Sequence, residues 1–425
     1  MPAAFWQRAD IADALQRRDL GTVLRAWRRV TGRSQFEAAA LVGYDPLMIR
    51  MIESGDARYG TDTVLDVVLA LRTGGAVTST DAADEGDDMD RRELLRYVAG
   101  AAVAVGVDAR ALGDTLRPDA APTRDARMLD GHREVLAQAV DGYAQVRPDT
   151  LAPIAHLVLS RAADALSGAR GDSERLAAAI VADAATLAGW LTYDLGNLAD
   201  ARGHFAHAQH VASEHGDEVR HALATAALGV SYSPAPDGGH GAPRRALQLL
   251  EAADGALERA ASEHPARTWI ASMSASKAAR AGDSTATWQW IDGAAARADE
   301  TSTRIEAAAG MWSWRPAGDR VRAWVDVGRG SALSFLADPA AEGELRAAVA
   351  AAEPFKAVEG RRALMDLLVR WARYDEAAGQ GLQALESAGA LGLRREYRRL
   401  AGTRNLAPDG ERAFAAFDEA LAAAT

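Results

Sequence analysis

The chain has 425 residues and is 48% hydrophobic, enough for two or three domains with substantial cores. A formal charge of −11 excludes a generic nucleic-acid binder, so any DNA contact has to be confined to one patch. The absence of cysteine excludes disulfides, thiolate metal sites and cysteine nucleophiles and fits a reducing, cytoplasmic setting, and the opening MPAAFWQRAD lacks the apolar run of a secretory signal.

The first element is a helix over residues 20–31. Arg25, Arg28 and Arg29 recur on it at helical spacing and, with Arg33, define a local basic edge. Residues 33–55, RSQFEAAALVGYDPLMIRMIESG, predict a helix, a turn and a second helix. Ser34 N-caps the first helix, and Glu37 three residues on closes a capping box. Gly43 makes the turn, Asp45 and Pro46 start the second helix, and Gly55 ends it. Ala39, Val42, Ile49 and Ile52 form the inward stripe. Another helix is expected over 61–71. Residues 1–72 hold ten Arg and no Lys against nine carboxylates, a net of about +1 by simple counting.

This stretch resembles the phage-repressor-like (XRE) helix-turn-helix family through Ser34, Gln35, Ala39, Gly43, Ile49, Ile52, Glu53 and Gly55. The resemblance implies a DNA reader over residues 1–72, with the second helix in the major groove and the first crossing the phosphate backbone. It implies that Gln35 contacts backbone or a base edge and that Pro46, Leu47 and Arg50 face the groove. Arg50 is the one strong hydrogen-bonding reader there, among apolar neighbours.

Residues 73–90 are small and acidic and read as a flexible linker. Residues 91–124 are expected to supply a docking helix and a connector. The segment RRELLRYVAGAAVAVGV at 91–107 superficially resembles a twin-arginine export signal, but it lies deep in the chain and is shorter than the roughly 20 apolar residues a bilayer needs.

From residue 125 to 425 helical periodicity runs almost throughout without strand alternation, which predicts an all-α chain. Three segments share one phase. In WLTYDLGNLADARGHFAHA, Gly189 precedes the segment, Gly196 marks the turn, and Ala201, Phe205 and Ala208 follow. Downstream the turn falls at Gly282 and at Ala372, with Thr287, Ile291 and Ala294 after the first and Tyr374, Ala377 and Ala384 after the second. The pattern resembles the tetratricopeptide repeat and implies an α-solenoid in which small residues let paired helices approach and Phe205 plugs the gap. The three turns are 86 and 90 residues apart, not multiples of the ideal length of about 34. Intervening pairs with longer loops are therefore expected, five to seven pairs in all, with SPAPDGGHGAP at 233–243 as one insertion.

Six Trp fall between residues 269 and 324. Trp269, Trp288, Trp312, Trp314 and Trp324, with Arg315 and Arg320 as polar anchors, form the candidate effector site, because indole offers area and a cation-attracting face. Packing between repeat helices accounts for the same residues. His204, His207, His210 and His215 have a spacing that can chelate zinc, but their helix also carries Phe205 and Ala208, so a surface row of histidines is expected and no metal site. The chain has no phosphate loop, nucleophile elbow, HExxH pair or Rossmann glycine fingerprint, so neither catalytic residues nor a cofactor are expected.

Together the two resemblances imply a bacterial DNA-binding regulator whose helical repeats bind a peptide or small-molecule effector and mediate homodimerisation, without a membrane partner. Two alternatives stand beside it. One is a binding scaffold or effector-sequestering protein with a degenerate helix-turn-helix, and the other is an enzyme using a Trp-lined cavity.

Overall fold

The computed structural model describes Phe5, Arg8, Asp10, Ile11, Ala14, residues 19–31, Arg33, Gln35, Ala38, Ile49, Arg50, Ile52 and Glu53, then residues 126–143, 146–232, 243–301, 319–409 and 411–424. Every regular element among them is a helix, as the periodicity predicts. The caps and turn at Ser34, Glu37, Gly43, Asp45 and Gly55, the helix over 61–71, the linker over 73–90 and the segment over 91–124 lie outside the described residues, as do Pro46, Leu47, Trp312, Trp314 and Arg315. The chain divides into two compact units, Met1–Leu94 and Leu95–Thr425.

In the first unit, α1 (Leu20–Thr31) is capped by Asp19, whose carboxylate accepts from the Thr22 amide at 3.0 Å and from its hydroxyl at 2.7 Å. Its apolar stripe of Leu20, Val23, Leu24 and Trp27 is buried, and Arg25 and Arg29 stand on the opposite face. Gly21 lets α1 close on the backbone at Ile52, because a Cβ there would lie 2.3 Å from the Ile52 carbonyl oxygen.

The second unit opens with α2 (Ala126–Gly142) and α3 (Pro148–Gly168). Five helix pairs follow: α4 (Asp172–Asp194) with α5 (Leu198–Glu214), α6 (Glu218–Ser231) with α7 (Pro243–Ala260), α8 (Ala266–Arg280) with α9 (Ser284–Thr301), α10 (Asp319–Phe335) with α11 (Ala341–Ala351), and α12 (Pro354–Arg370) with α13 (Tyr374–Leu391). Then come α14 (Arg394–Arg404), a 3-10 turn at Arg412–Phe414 and α15 (Ala415–Ala424), which packs chiefly on α13. The short turns within the other four pairs, α6 with α7 apart, make their partners antiparallel. The even-numbered helices also touch one another in order, α4 to α6 and onward to α14, and α14 returns to α4. They form a closed inner ring of the unit, with the odd-numbered helices α5 to α13 outside it.

One local device recurs at five of the turns. Gly196, Gly216, Gly282, Ala337 and Ala372 all have φ between 56° and 89°. At each, the next amide reaches back to a carbonyl five residues earlier, as from Asn197 to Thr192 at 3.1 Å and from Asp283 to Ala278 at 3.0 Å. The residue after the left-handed one then caps the next helix: Asn197, Asp217 and Asp283 each accept from the amide three positions on. The left-handed turn at Ala337 falls between Gly282 and Ala372, and a further pair, α6 with α7, falls between Gly196 and Gly282. One intervening pair in each interval thus accounts for the 86- and 90-residue spacings.

The inner position explains composition. A Cβ on Gly189 of α4 would sit 2.4 Å from the Phe205 ring of α5, so the small residue and the plug meet as the repeat phase predicts. Among the described residues α4 is the one helix long and apolar enough to cross a membrane, and 83% of that apolar window is covered by its neighbours in the unit. A helix apolar on all sides is what an inner ring requires.

Candidate functional site

The predicted DNA-facing residues divide into two groups. Arg25, Arg29, Arg33 and Arg50 are exposed, and Arg50 stands between the buried Ile49 and Ile52. Arg33 covers the Trp27 ring, its guanidinium carbon 5.6 Å from the centroid. Arg28 and Gln35 instead converge on Glu53, which is 7% exposed. Arg28 donates to its two oxygens at 2.7 and 3.1 Å, and Gln35 Nε2 donates to Oε2 at 2.7 Å. Arg28 also donates to the Arg33 carbonyl at 3.1 Å. Glu53 thus ties the end of α1 to the two stretches of the motif, holding Arg28 and Gln35 in a fork while the other four cations face outward.

The predicted effector residues are also split. Trp269 on α8 and Trp324 on α10 belong to the core of the second unit. Trp269 meets Trp190 edge to face at 5.9 Å, and Trp324 stacks on Phe355 at 6.4 Å while its Nε1 donates to Glu353 at 3.0 Å. Trp288 lies on the outer helix α9 and is 41% exposed. Arg320 falls in the first turn of α10, its side chain outside the described residues.

The histidine row is dispersed among different partners. His204 Nε2 lies 3.3 Å from His156 Nε2 on α3, His210 pairs with Glu214 at 3.3 Å, and His215 faces Glu174 at 3.8 Å. Among the described residues no group of three or more His, Asp or Glu is placed to hold a metal.

A buried ionic network that the motif analysis missed lies where α14 closes the ring. Asp194, at the end of α4, is fully buried; it accepts from the Tyr143 hydroxyl and pairs with Arg395 Nη1 at 2.6 Å. Arg395 also donates to Glu359 at 2.8 Å and to Glu396 at 3.0 Å. Glu396, fully buried, accepts in addition from Arg362 Nε and Arg399 Nη1, both at 3.0 Å. Glu359 takes Lys356, whose ammonium lies 4.8 Å from the Trp324 ring, and Arg399 donates to the Tyr193 hydroxyl. Three inner helices, α4, α12 and α14, thus meet through charge, with Tyr143 beside α2 and the Trp324 ring of α10 at the edge of the network.

The local potentials follow from these pairs. Burial pushes the Asp194 carboxyl up to about 6, against the pull of Arg395 and Tyr143. Burial also opposes the charge on Glu359, but Lys356 and Arg395 outweigh it and hold that carboxyl below the usual range. For Arg395 burial is again the largest effect, and Asp194, Glu396 and Glu359 together overcome it and raise the guanidinium well above its ordinary value. Arg395 is the hub, a planar fork able to answer three carboxylates at once.

Comparison with protein-family models and with curated proteins finds no match to this chain.

Proposed function

We propose that this chain is a DNA-binding transcriptional regulator of the phage-repressor-like type, cytoplasmic and homodimeric, whose second unit is a tetratricopeptide-like solenoid that senses a small effector. The observation that carries the reading is Arg50, exposed between Ile49 and Ile52, which are buried, on the helix assigned to the major groove. Exposed Arg25, Arg29 and Arg33 supply phosphate contacts beside it. Effector binding in the second unit changes the placement of the two readers of a dimer, so that their spacing fits or misfits two half-sites.

The test is fluorescence anisotropy on the chain's own promoter and on random DNA across a salt series. The promoter is expected to bind more tightly, Arg50→Ala to cost about 1–3 kcal/mol, and Arg29→Ala to weaken both DNAs alike and lower the salt slope by about 1. Equal affinity for the two DNAs at every salt concentration sinks the reading.

A second reading has one observation in its favour. Glu53 engages Arg28 and Gln35, two of the residues a reader would turn toward DNA. In that reading the first unit is a packing module and the protein is a scaffold that sequesters its effector. Glu53→Gln separates the two, because it frees Arg28: tighter DNA binding favours the regulator, and lost stability with no DNA binding favours the scaffold.

A further inference from the structure

The charge of the inner ring is unbalanced at one end. Among the described residues, seven cationic side chains, Lys277, Arg280, Lys356, Arg362, Arg370, Arg395 and Arg399, gather there against five carboxylates, Asp194, Glu353, Glu359, Asp366 and Glu396. The carboxylates are largely spoken for. Glu396 alone answers Arg362, Arg395 and Arg399, Glu359 answers Lys356 and Arg395, and Asp366 answers Arg370 at 2.5 Å.

Arg280 is the member left over. It stands with Lys277 in the last turn of α8, and its guanidinium carbon lies 4.3 Å from the Phe335 ring, which Arg370 also approaches at 4.6 Å. Its buried Nε has no hydrogen-bond acceptor, and among the described residues no carboxylate forms an ion pair with it. The charges that act on it are mostly of its own sign: Arg362, Arg399 and Arg370 oppose its charge, and Asp366 supports it. Burial first and these cations second bring it down to about 9, so it is still charged at neutral pH. Lys277 is lowered well below its ordinary value by burial and by Arg280, Arg399 and Arg362.

We propose that Lys277, Arg280, Arg362 and Arg399 form the seat for a multiply charged oxyanion, the anionic part of the effector, an assignment that rests on the regulator reading above. Guanidinium forks suit phosphoryl and carboxylate oxygens, and Arg280, packed on the Phe335 face, carries a buried Nε with no acceptor of its own.

The experiment uses full-length protein titrated with sodium pyrophosphate, and separately with citrate, at constant ionic strength set by chloride. Melting temperature and calorimetric heat are read without DNA. A saturable stabilisation is expected, by pyrophosphate if the seat takes phosphoryl groups and by citrate if it takes carboxylates. Arg280→Met is expected to weaken that binding at least about tenfold, the loss of one charge-assisted contact. Arg175→Gln, a change at a 71% exposed side chain of α4, leaves it intact. Without anion, Arg280→Met melts at or above the parent protein, because it removes a buried cation that lacks a counter-charge; an arginine with only a structural role would lower the melting point. No saturable shift with either anion, a shift that survives Arg280→Met, or a lower melting point for that variant overturns the proposal. Anion binding that leaves promoter affinity unchanged counts against the regulator and not against the seat.

Discussion

Glu396→Ala is the sharpest perturbation of the ring. Glu396 is fully buried and is the shared acceptor of Arg362, Arg395 and Arg399, each at 3.0 Å. Its removal leaves Arg362 and Arg399, which are 15% and 17% exposed, without their carboxylate in a largely buried site. Breaking a buried pair from one side costs about 3–5 kcal/mol, because the remaining charge is still desolvated. The unit Leu95–Thr425 has about 330 residues, so at roughly 2.1 cal/mol/K per residue its unfolding entropy is near 0.7 kcal/mol/K, and the melting temperature falls by about 4–7 °C. The loss is localised. Amide exchange should rise first in α14 and at the end of α4, because Arg395 to Asp194 and Arg399 to Tyr193 join the two ends of the ring. Glu396→Gln keeps the shape and one acceptor and should fall between the two. A melting temperature within a degree of the parent, with unchanged protection of α14, would refute the view that this network holds the ring closed.

Other tests address the repeat architecture and its titration. Ala372 has φ 57° at a turn where the equivalent residues are Gly196 and Gly282, so Ala372→Gly should stabilise the unit by roughly 0.5–1 kcal/mol in urea denaturation; a loss of stability would show that the left-handed strain was misjudged. Gly189→Ala places a methyl 2.4 Å from Phe205 and should cost about 1–3 kcal/mol, with Phe205→Leu in the same chain recovering part of it. His132 is 1% exposed, and burial, aided by Arg161, lowers it from 6.5 to about 4. It folds neutral, so its contribution is complete above pH 6.5 and is lost as the pH falls through about 4, a change of at most ~3 kcal/mol. Denaturation midpoints between pH 7 and 4 should show that decline, shallower in His132→Leu.

Much of the second unit's framework was legible locally. Gly196 and Gly282 stand out as turns because a glycine followed by a capping residue is a signal contained within a few positions, Ala372 shares their phase, and Gly189 with Phe205 is a pairing set by the turn between them. The site was less legible. The six Trp looked like one cluster because they are close in sequence, but α9 is an outer helix while α8 and α10 are inner ones, so Trp288 emerges at the surface while Trp269 and Trp324 enter the core. Arg28 and Gln35 matched a DNA-facing pattern, and Glu53, itself a motif residue, was the partner that holds them.

The amino-acid sequence by itself determined that the described residues are helical and where the turns at Gly196, Gly282 and Ala372 fall, since caps, left-handed turns and apolar stripes are decided by neighbours within about one turn of helix. Only the tertiary structure decided which helices are inner and that the last returns to the first. The segment RREYRRLAGTR of α14 has the composition of a solvated surface helix, and closure of the ring buries Arg395 and Glu396 in it. The carboxylates that make this possible, Asp194 and Glu359, lie 201 and 36 residues away from Arg395 in the chain. No local pattern announces such a pairing, because its free energy exists only once water has been excluded from between the two ends.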